Sequence, residues 1–172
     1  MASYSADLKA LLQVRAEDVP LVDELDRRAA AGAAIPRQGP APSFFEGFAL
    51  QGVRVESIRP GHILCSFTVP ARLTAGGGHI ASGAVVALVD EIGSAAAVAD
   101  GKHLKVSVDM SVSFVDLAAA APGDDLRITA RALGHKGAYS GTHVLVANAA
   151  TGQVVAEGRH SLFGKMKIKS NI

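Results

Sequence analysis

The longest apolar stretch of the chain is broken by two acids. Gly83 to Ala99 reads GAVVALVDEIGSAAAVA, a segment of helical length whose only charges are the neighbours Asp90 and Glu91. A helix apolar on every side is a buried helix, and an ionised carboxylate inside it costs several kcal/mol unless something pairs with it or uses it. Asp90 is therefore the first place to look for chemistry. Glu91 lies about 100° further round the helix, so it cannot share the environment of Asp90 and needs a partner of its own. A second polar cluster follows on Val106 to Phe114, where Val106, Val108, Met110, Val112 and Phe114 alternate with Ser107, Asp109, Ser111 and Ser113. That period of two makes a strand with one core face and one face of hydroxyls and a carboxylate.

The other chemistry-bearing residues read more plainly. Gly76-Gly77-Gly78, with His79 behind it, lacks the Gly-Lys-Ser/Thr ending of a phosphate-binding loop and reads as a connecting loop. His62, His79, His103, His135, His143 and His160 are scattered without metal-ligand spacing, so no zinc is expected. Cys65 alternates with Ile63 and Phe67 and reads as core; as the single cysteine it excludes an internal disulfide and suits a reducing compartment.

These residues must be held by elements that the pattern also marks. Residues 1 to 31 read as helical, with Asp18 as N-cap, Pro20 in the first turn, Arg27 and Arg28 late and Gly32 beyond the end. Ala33 to Pro42 is dense in Ala, Pro and Gly and forms a linker, so the domain proper is expected from residue 43 to 166, with a tail from 167 to 172. Phe48 to Ile58 and Ile63 to Val69 read as a hairpin around Arg59-Pro60-Gly61-His62. Ser82 offers an N-cap for the long helix, which stops at Asp100-Gly101. Further strands run from Leu126 to Arg131, Ala138 to Asn148 and Gln153 to Phe163, with turns at Gly134-His135-Lys136-Gly137 and Ala150-Thr151-Gly152. Short turns imply antiparallel neighbours, so the order is a hairpin, one buried helix and a four-stranded meander: an α+β domain in which one sheet wraps one helix.

The whole chain sets bounds on function. Its 172 residues are 49% hydrophobic, enough for one domain with a real core. The formal charge of +1, from 17 basic and 16 acidic residues spread along the sequence, gives no electrostatic case for nucleic acid or a membrane surface. Asp90 and Glu91 interrupt the longest apolar run, so no membrane insertion is expected. The acids of the first 26 residues fit neither a transit peptide nor a secretory signal. The ending Ser170-Asn171-Ile172, behind three lysines, has the outline of a peroxisomal tripeptide but departs from Ser-Lys-Leu at two positions, which leaves a cytoplasmic or a peroxisomal location open.

Ser82-Gly83-Ala84 through Leu88-Val89-Asp90-Glu91, then Val106-Ser107-Val108-Asp109-Met110, then Ala156-Glu157-Gly158-Arg159-His160, resembles the hotdog-fold acyl-CoA thioesterases, over about residues 47 to 164. Within that superfamily it is similar to the small eukaryotic enzymes related to the bacterial phenylacetate-pathway type. The resemblance implies a hotdog fold, an acyl-CoA substrate, no cofactor beyond the coenzyme A of the substrate, and a homodimer, paired again into a tetramer, with sites at the interface. It also implies roles. Asp90 matches the general base or nucleophile, Ser107 the hydroxyl that holds the attacking water, and Ser82 and Gly83 the helix start whose backbone N–H polarises the thioester carbonyl. Amides at a helix N-terminus suit that last role on physical grounds as well.

Two family positions differ. The usual His-Gly-Gly at the helix start reads Ala81-Ser82-Gly83, and the Asn or Asp six residues before that histidine reads Ala75. His79, two residues upstream of the expected imidazole, is the candidate to replace it. For coenzyme A the resemblance points to Asp109, taken to share a strand face with Ser107, and to the turn His135-Lys136-Gly137-Ala138, where Lys136 can meet a phosphate and Gly137 allows close backbone approach. Arg159 and His160 read as structural or interfacial. Besides acyl-CoA hydrolysis, two readings remain: an acyl-CoA-binding hotdog protein with weak or no turnover, and an enoyl-CoA hydratase, for which only His79 is placed to assist the carboxylate.

Overall fold

The computed structural model describes residues 16–33 and 44–164. Expectations for residues 1–15, for the linker residues 34–42 and for the tail with Ser170-Asn171-Ile172 lie outside these. The chain divides into two compact units, residues 1–47 and 48–172. In the first, helix α1 (Val19–Ala33) starts where Asp18 was expected to cap it: the Asp18 carbonyl accepts the N–H groups of Leu21 and Val22, both at 3.1 Å. Gly32 and Ala33 fall inside α1 rather than beyond its end.

The expected first strand is corrected at its start. Phe44–Leu50 is a short helix, α2, and strand β1 begins only at Val53 and runs to Arg59. Gly52 between them has φ +104°, a conformation that glycine alone adopts freely, so the chain turns there instead of continuing extended. Arg72 fastens the end of α2, its Nε donating to the Phe48 carbonyl at 2.9 Å and its second nitrogen to that of Gln51, with the guanidinium over the Phe48 ring.

The sheet has six antiparallel strands in the order β1-β2-β4-β5-β6-β3, with β2 His62–Thr68, β3 Val106–Phe114, β4 Asp125–Lys136, β5 Tyr139–Asn148 and β6 Val154–Phe163. The expected four-strand meander is therefore three strands, β4 to β6. β3 does not neighbour β4 but lies at the far edge on β6, reached through a 3-10 turn at Leu117–Ala119. As an edge strand it is covered on one side only, and Val106, Val108 and Phe114 are exposed in the single chain; the expected core face of β3 is half-buried only at Met110 and Val112.

The central helix α3 (Ser82–Ala99) lies against the inner face of the sheet. Val85, Leu88, Val89 and Ala96 pack with Phe67, Ile128, Val144 and Val146 in one continuous core, and each fully buried Leu, Ile, Val or Phe contributes about 1.5–3 kcal/mol. The helix approaches β6 closely at Gly158, where an added Cβ would sit 2.5 Å from Val89 Cγ1. It is not buried all round, as the sequence suggests. Ser82, Gly83 and Val86 are exposed and Asp90 is half-open, which leaves one stripe of α3 accessible beside the start of β3.

Candidate active site

The accessible stripe of α3 carries Asp90, with a side chain 37% exposed. The Ser107 hydroxyl donates to Asp90 Oδ1 at 2.6 Å, so the structure brings together the two residues chosen from sequence. On the same oxygen a third group converges. His160 Nε2 stands 3.2 Å from Asp90 Oδ1, within ion-pair distance but off the line a hydrogen bond requires, and neither ring nitrogen of His160 has a hydrogen-bond partner among the described residues. His160 is 1% exposed. Burial pushes its imidazole below the usual histidine range, and the Asp90 carboxylate pulls weakly the other way. Room for the ring comes from Gly93, where a Cβ would lie 3.1 Å from His160 Nδ1 and 3.0 Å from Thr142 Oγ1.

His160 is the residue that sequence reasoning missed. It was read as structural or interfacial, and His79 was chosen as the imidazole that could serve. His79 instead sits with Nδ1 3.0 Å from the Ile80 carbonyl, in a closed loop where the Ala75 amide donates to the His79 carbonyl at 2.8 Å. The missed signal was register. β6 pairs with β3, and residues directly opposite share a face of the sheet. Ser107 pairs with Leu162 and Met110 with His160, so His160 faces α3 together with Ser107.

The same register corrects Asp109. A bulge between Ser107 and Asp109 inserts Val108, so Ser107 pairs with Leu162 on the inner face while Asp109 pairs with Ser161 on the outer face. Asp109 and Ser107 therefore do not share a face. In the expected nucleotide turn, β4 runs on to Lys136 and the turn is Gly137-Ala138, tighter than the Gly134 to Gly137 turn read from the sequence. Lys136 and Gly137 are exposed there, but His135 points inward, with Nε2 2.8 Å from Asp100 Oδ2 and Nδ1 2.7 Å from Ser140 Oγ. It is committed to the protein.

At the head of α3 the N-cap is Ala81, not Ser82, and it makes no side-chain cap; Ser82 is the first helical residue. The Ala81 carbonyl accepts from Ala84 and Val85 at 3.0 and 3.2 Å. The amides of Ser82 and Gly83 belong to the first turn, where helix geometry supplies no intrahelical acceptor, and both residues are exposed. They form a donor pair at the positive end of the helix.

Residues 77–149 match the family model for the Thioesterase superfamily. Human acyl-coenzyme A thioesterase 13 is 32% identical over 110 residues, which cover 63% of this chain and 77% of that protein. The chain belongs to the thioesterase superfamily. The thioesterase match extends to solved structures: zebra fish thioesterase superfamily member 2 aligns at 32% identity with a TM-score of 0.64, covering 67% of this chain and 83% of that one. A Streptococcus mutans protein solved with acetyl CoA aligns at 22% identity and a TM-score of 0.62 over 68% of this chain and 93% of its own, a likeness of fold.

Proposed function

We propose that the protein hydrolyses an acyl-CoA thioester to the free acid and coenzyme A. The observation that carries this reading is the convergence of Ser107 Oγ and His160 Nε2 on one oxygen of Asp90, beside an open stripe of the helix. Asp90 takes the proton of a water held by Ser107, and the hydroxide adds to the thioester carbonyl carbon. Negative charge moves to the carbonyl oxygen and returns as the C–S bond breaks, and the proton held by Asp90 passes to the departing coenzyme A thiolate. The relatives point the same way, being named acyl-coenzyme A thioesterases, and the Streptococcus mutans relative of fold was solved with acetyl CoA.

The oxyanion donors must come from a second copy. Seven residues separate Gly83 from Asp90, and at about 1.5 Å per residue that is about 10 Å along the axis. A carbonyl attacked by water at Asp90 needs its donors about 3 Å from the oxygen, so the amides of its own helix start are out of reach. The Ser82 and Gly83 amides of a second protomer meet this need if the two chains pair along the unpartnered edge of β3, where Val106 and Val108 are exposed. A dimer of this kind, doubled into a tetramer, is the assembly we propose. The turn Lys136-Gly137-Ala138, exposed at Lys136 and Gly137, is the proposed seat of the nucleotide end of coenzyme A.

Ala81 and Ala75 carry methyl groups where the family places polar side chains, and this favours a second reading in which acyl-CoA binds but turns over slowly. The test is thiol release from a panel of short, long and aromatic acyl-CoAs, with Asp90→Asn beside the wild type. A loss of about a hundredfold or more, the scale of removing a general base, supports hydrolysis. Binding without release from any substrate supports the second reading.

A further inference from the structure

A second polar cluster, buried at Lys105 and Ser140 and half-open at Asp100, lies away from Asp90 and is built by residues of four separate segments. Lys105 Nζ donates to Ser140 Oγ at 2.6 Å, His135 Nδ1 stands 2.7 Å from that same oxygen, and His135 Nε2 stands 2.8 Å from Asp100 Oδ2. Lysine only donates and a carboxylate only accepts, so Ser140 Oγ accepts from Lys105 and His135 carries a proton on Nε2 toward Asp100. Lys105 is 8% exposed and Ser140 is 0% exposed. Lysine is almost never this buried without a partner. Burial, and then the neighbouring Lys102, push its amine below the usual lysine range.

The position of this chain in the sheet gives it a purpose. Ser107 is the second residue of an edge strand, beyond the bulge at Val108, so the strand start is held to the ladder by the pairs Val106 with Phe163 and Ser107 with Leu162. Such an end frays readily. Ser140 pairs with the same Leu162 from the other side, which puts Ser140, Leu162 and Ser107 in one row across β5, β6 and β3. Lys105, two residues before Ser107, reaches back across β6 to Ser140. The far end of the chain is Asp100, the C-cap of the helix that carries Asp90.

We infer that Lys105 is a positioning residue for Ser107, tying the start of β3 through Ser140 and His135 to Asp100 so that the Ser107 hydroxyl stays on Asp90. The kinetic part of this inference rests on the thioesterase reading above; the structural part does not. Lys105→Met keeps most of the apolar stem and removes the donor, and Ser140→Ala cuts the next link. In both, kcat is expected to fall tenfold or more with KM within twofold of wild type, and Lys105→Arg to recover part of the loss. Adding Lys105→Met to Ser107→Ala is expected to lower kcat no further, because the residue that Lys105 positions is already gone. Hydrogen exchange in residues 106 to 110 is expected to speed up at least tenfold in Lys105→Met and Ser140→Ala, with β4 and β5 unchanged.

A Lys105 effect that multiplies with that of Ser107→Ala, or exchange in residues 106 to 110 that matches wild type in both variants, overturns the inference. The exchange result needs no turnover. Faster exchange in a protein that hydrolyses no thioester supports the strap and removes the thioesterase reading alone.

Discussion

His160 Nε2 lies 3.2 Å from Asp90 Oδ1, on the oxygen that already accepts the Ser107 hydroxyl at 2.6 Å. The carboxylate that faces solvent on one side is thus backed on the other by a buried imidazole. Because burial holds His160 below the ordinary histidine range, at neutral pH it acts as an uncharged dipole and not as a counter-ion. A hydrogen bond from a neutral His160 Nε2–H to that oxygen, a small ring shift away, would hold the ionised carboxylate in place for the incoming water.

His160→Gln is therefore expected to lower kcat by about ten- to hundredfold, the worth of one hydrogen bond to a charged group. KM should change little, since the side chain is closed off from solvent. Steady-state kinetics on the substrate that the wild type turns over fastest decides this; equal kcat in the variant would assign His160 to packing alone.

The same residue sets the sign of a pH effect on stability. Its folded pKa is lowered, so as pH falls through about 6.5 the unfolded chain takes up a proton that the folded chain refuses. The neutral form is fully tolerated above the unfolded value, and stability declines from there as the pH drops toward the folded value, by at most about 1.4 kcal/mol per pH unit for one proton. Urea midpoints at pH 7.5 and 5.5 should therefore differ more in the wild type than in His160→Gln. Equal differences would mean that other groups govern the acid limb.

How far the sequence reaches is visible in these residues. Asp90 was legible because a pair of charges in an apolar run is a local pattern, and Ser107 because its segment resembles a family motif. His160 was not, because its role depends on β3 crossing to the far edge and pairing with β6, which no local pattern reports. Asp109 was misplaced for a related reason: one inserted residue, Val108, inverts the faces of a strand, and an alternating sequence looks the same with or without a bulge. Phe48 to Leu50, the end of the helix Phe44–Leu50, was read as strand because seven residues are too few for periodicity to separate the two.

The bulge makes the two polar residues of β3 separable in one experiment. Ser107→Ala removes a hydroxyl bonded to Asp90 and is expected to cost about tenfold or more in kcat. Asp109→Asn changes a residue on the face opposite Asp90 and is expected to leave kcat within about twofold. A large kcat effect from Asp109→Asn with none from Ser107→Ala would require the opposite register at the start of β3.

Cys65 is closed inside the core, where burial, with Glu56 adding to it, raises its thiol above the ordinary cysteine range. Thiolate is the reactive form, so a thiol reagent should label the native protein far more slowly than the urea-unfolded chain. Rapid native labelling would show that the hairpin of β1 and β2 opens.

A close approach of helix to sheet offers a sharp test of how Asp90 is held. Gly158 faces Val89, the residue before Asp90, and a Cβ built on Gly158 would lie 2.5 Å from Val89 Cγ1 and 3.1 Å from Cγ2. Val89 is completely buried and β-branched, with little freedom at χ1, so it cannot turn aside. Gly158→Ala must therefore lift α3 from β6. The expected cost is about 1–3 kcal/mol of stability, the range for overpacking a filled core. Because His160 lies two residues along the same strand, the lift also widens the gap between His160 and Asp90, and kcat should fall with stability. Val89→Ala removes the methyls in the way. The double variant Gly158→Ala with Val89→Ala is expected to be more stable than the sum of the single costs predicts, with a coupling of about 1 kcal/mol. Strict additivity in chemical denaturation would mean that helix and strand do not meet at this pair.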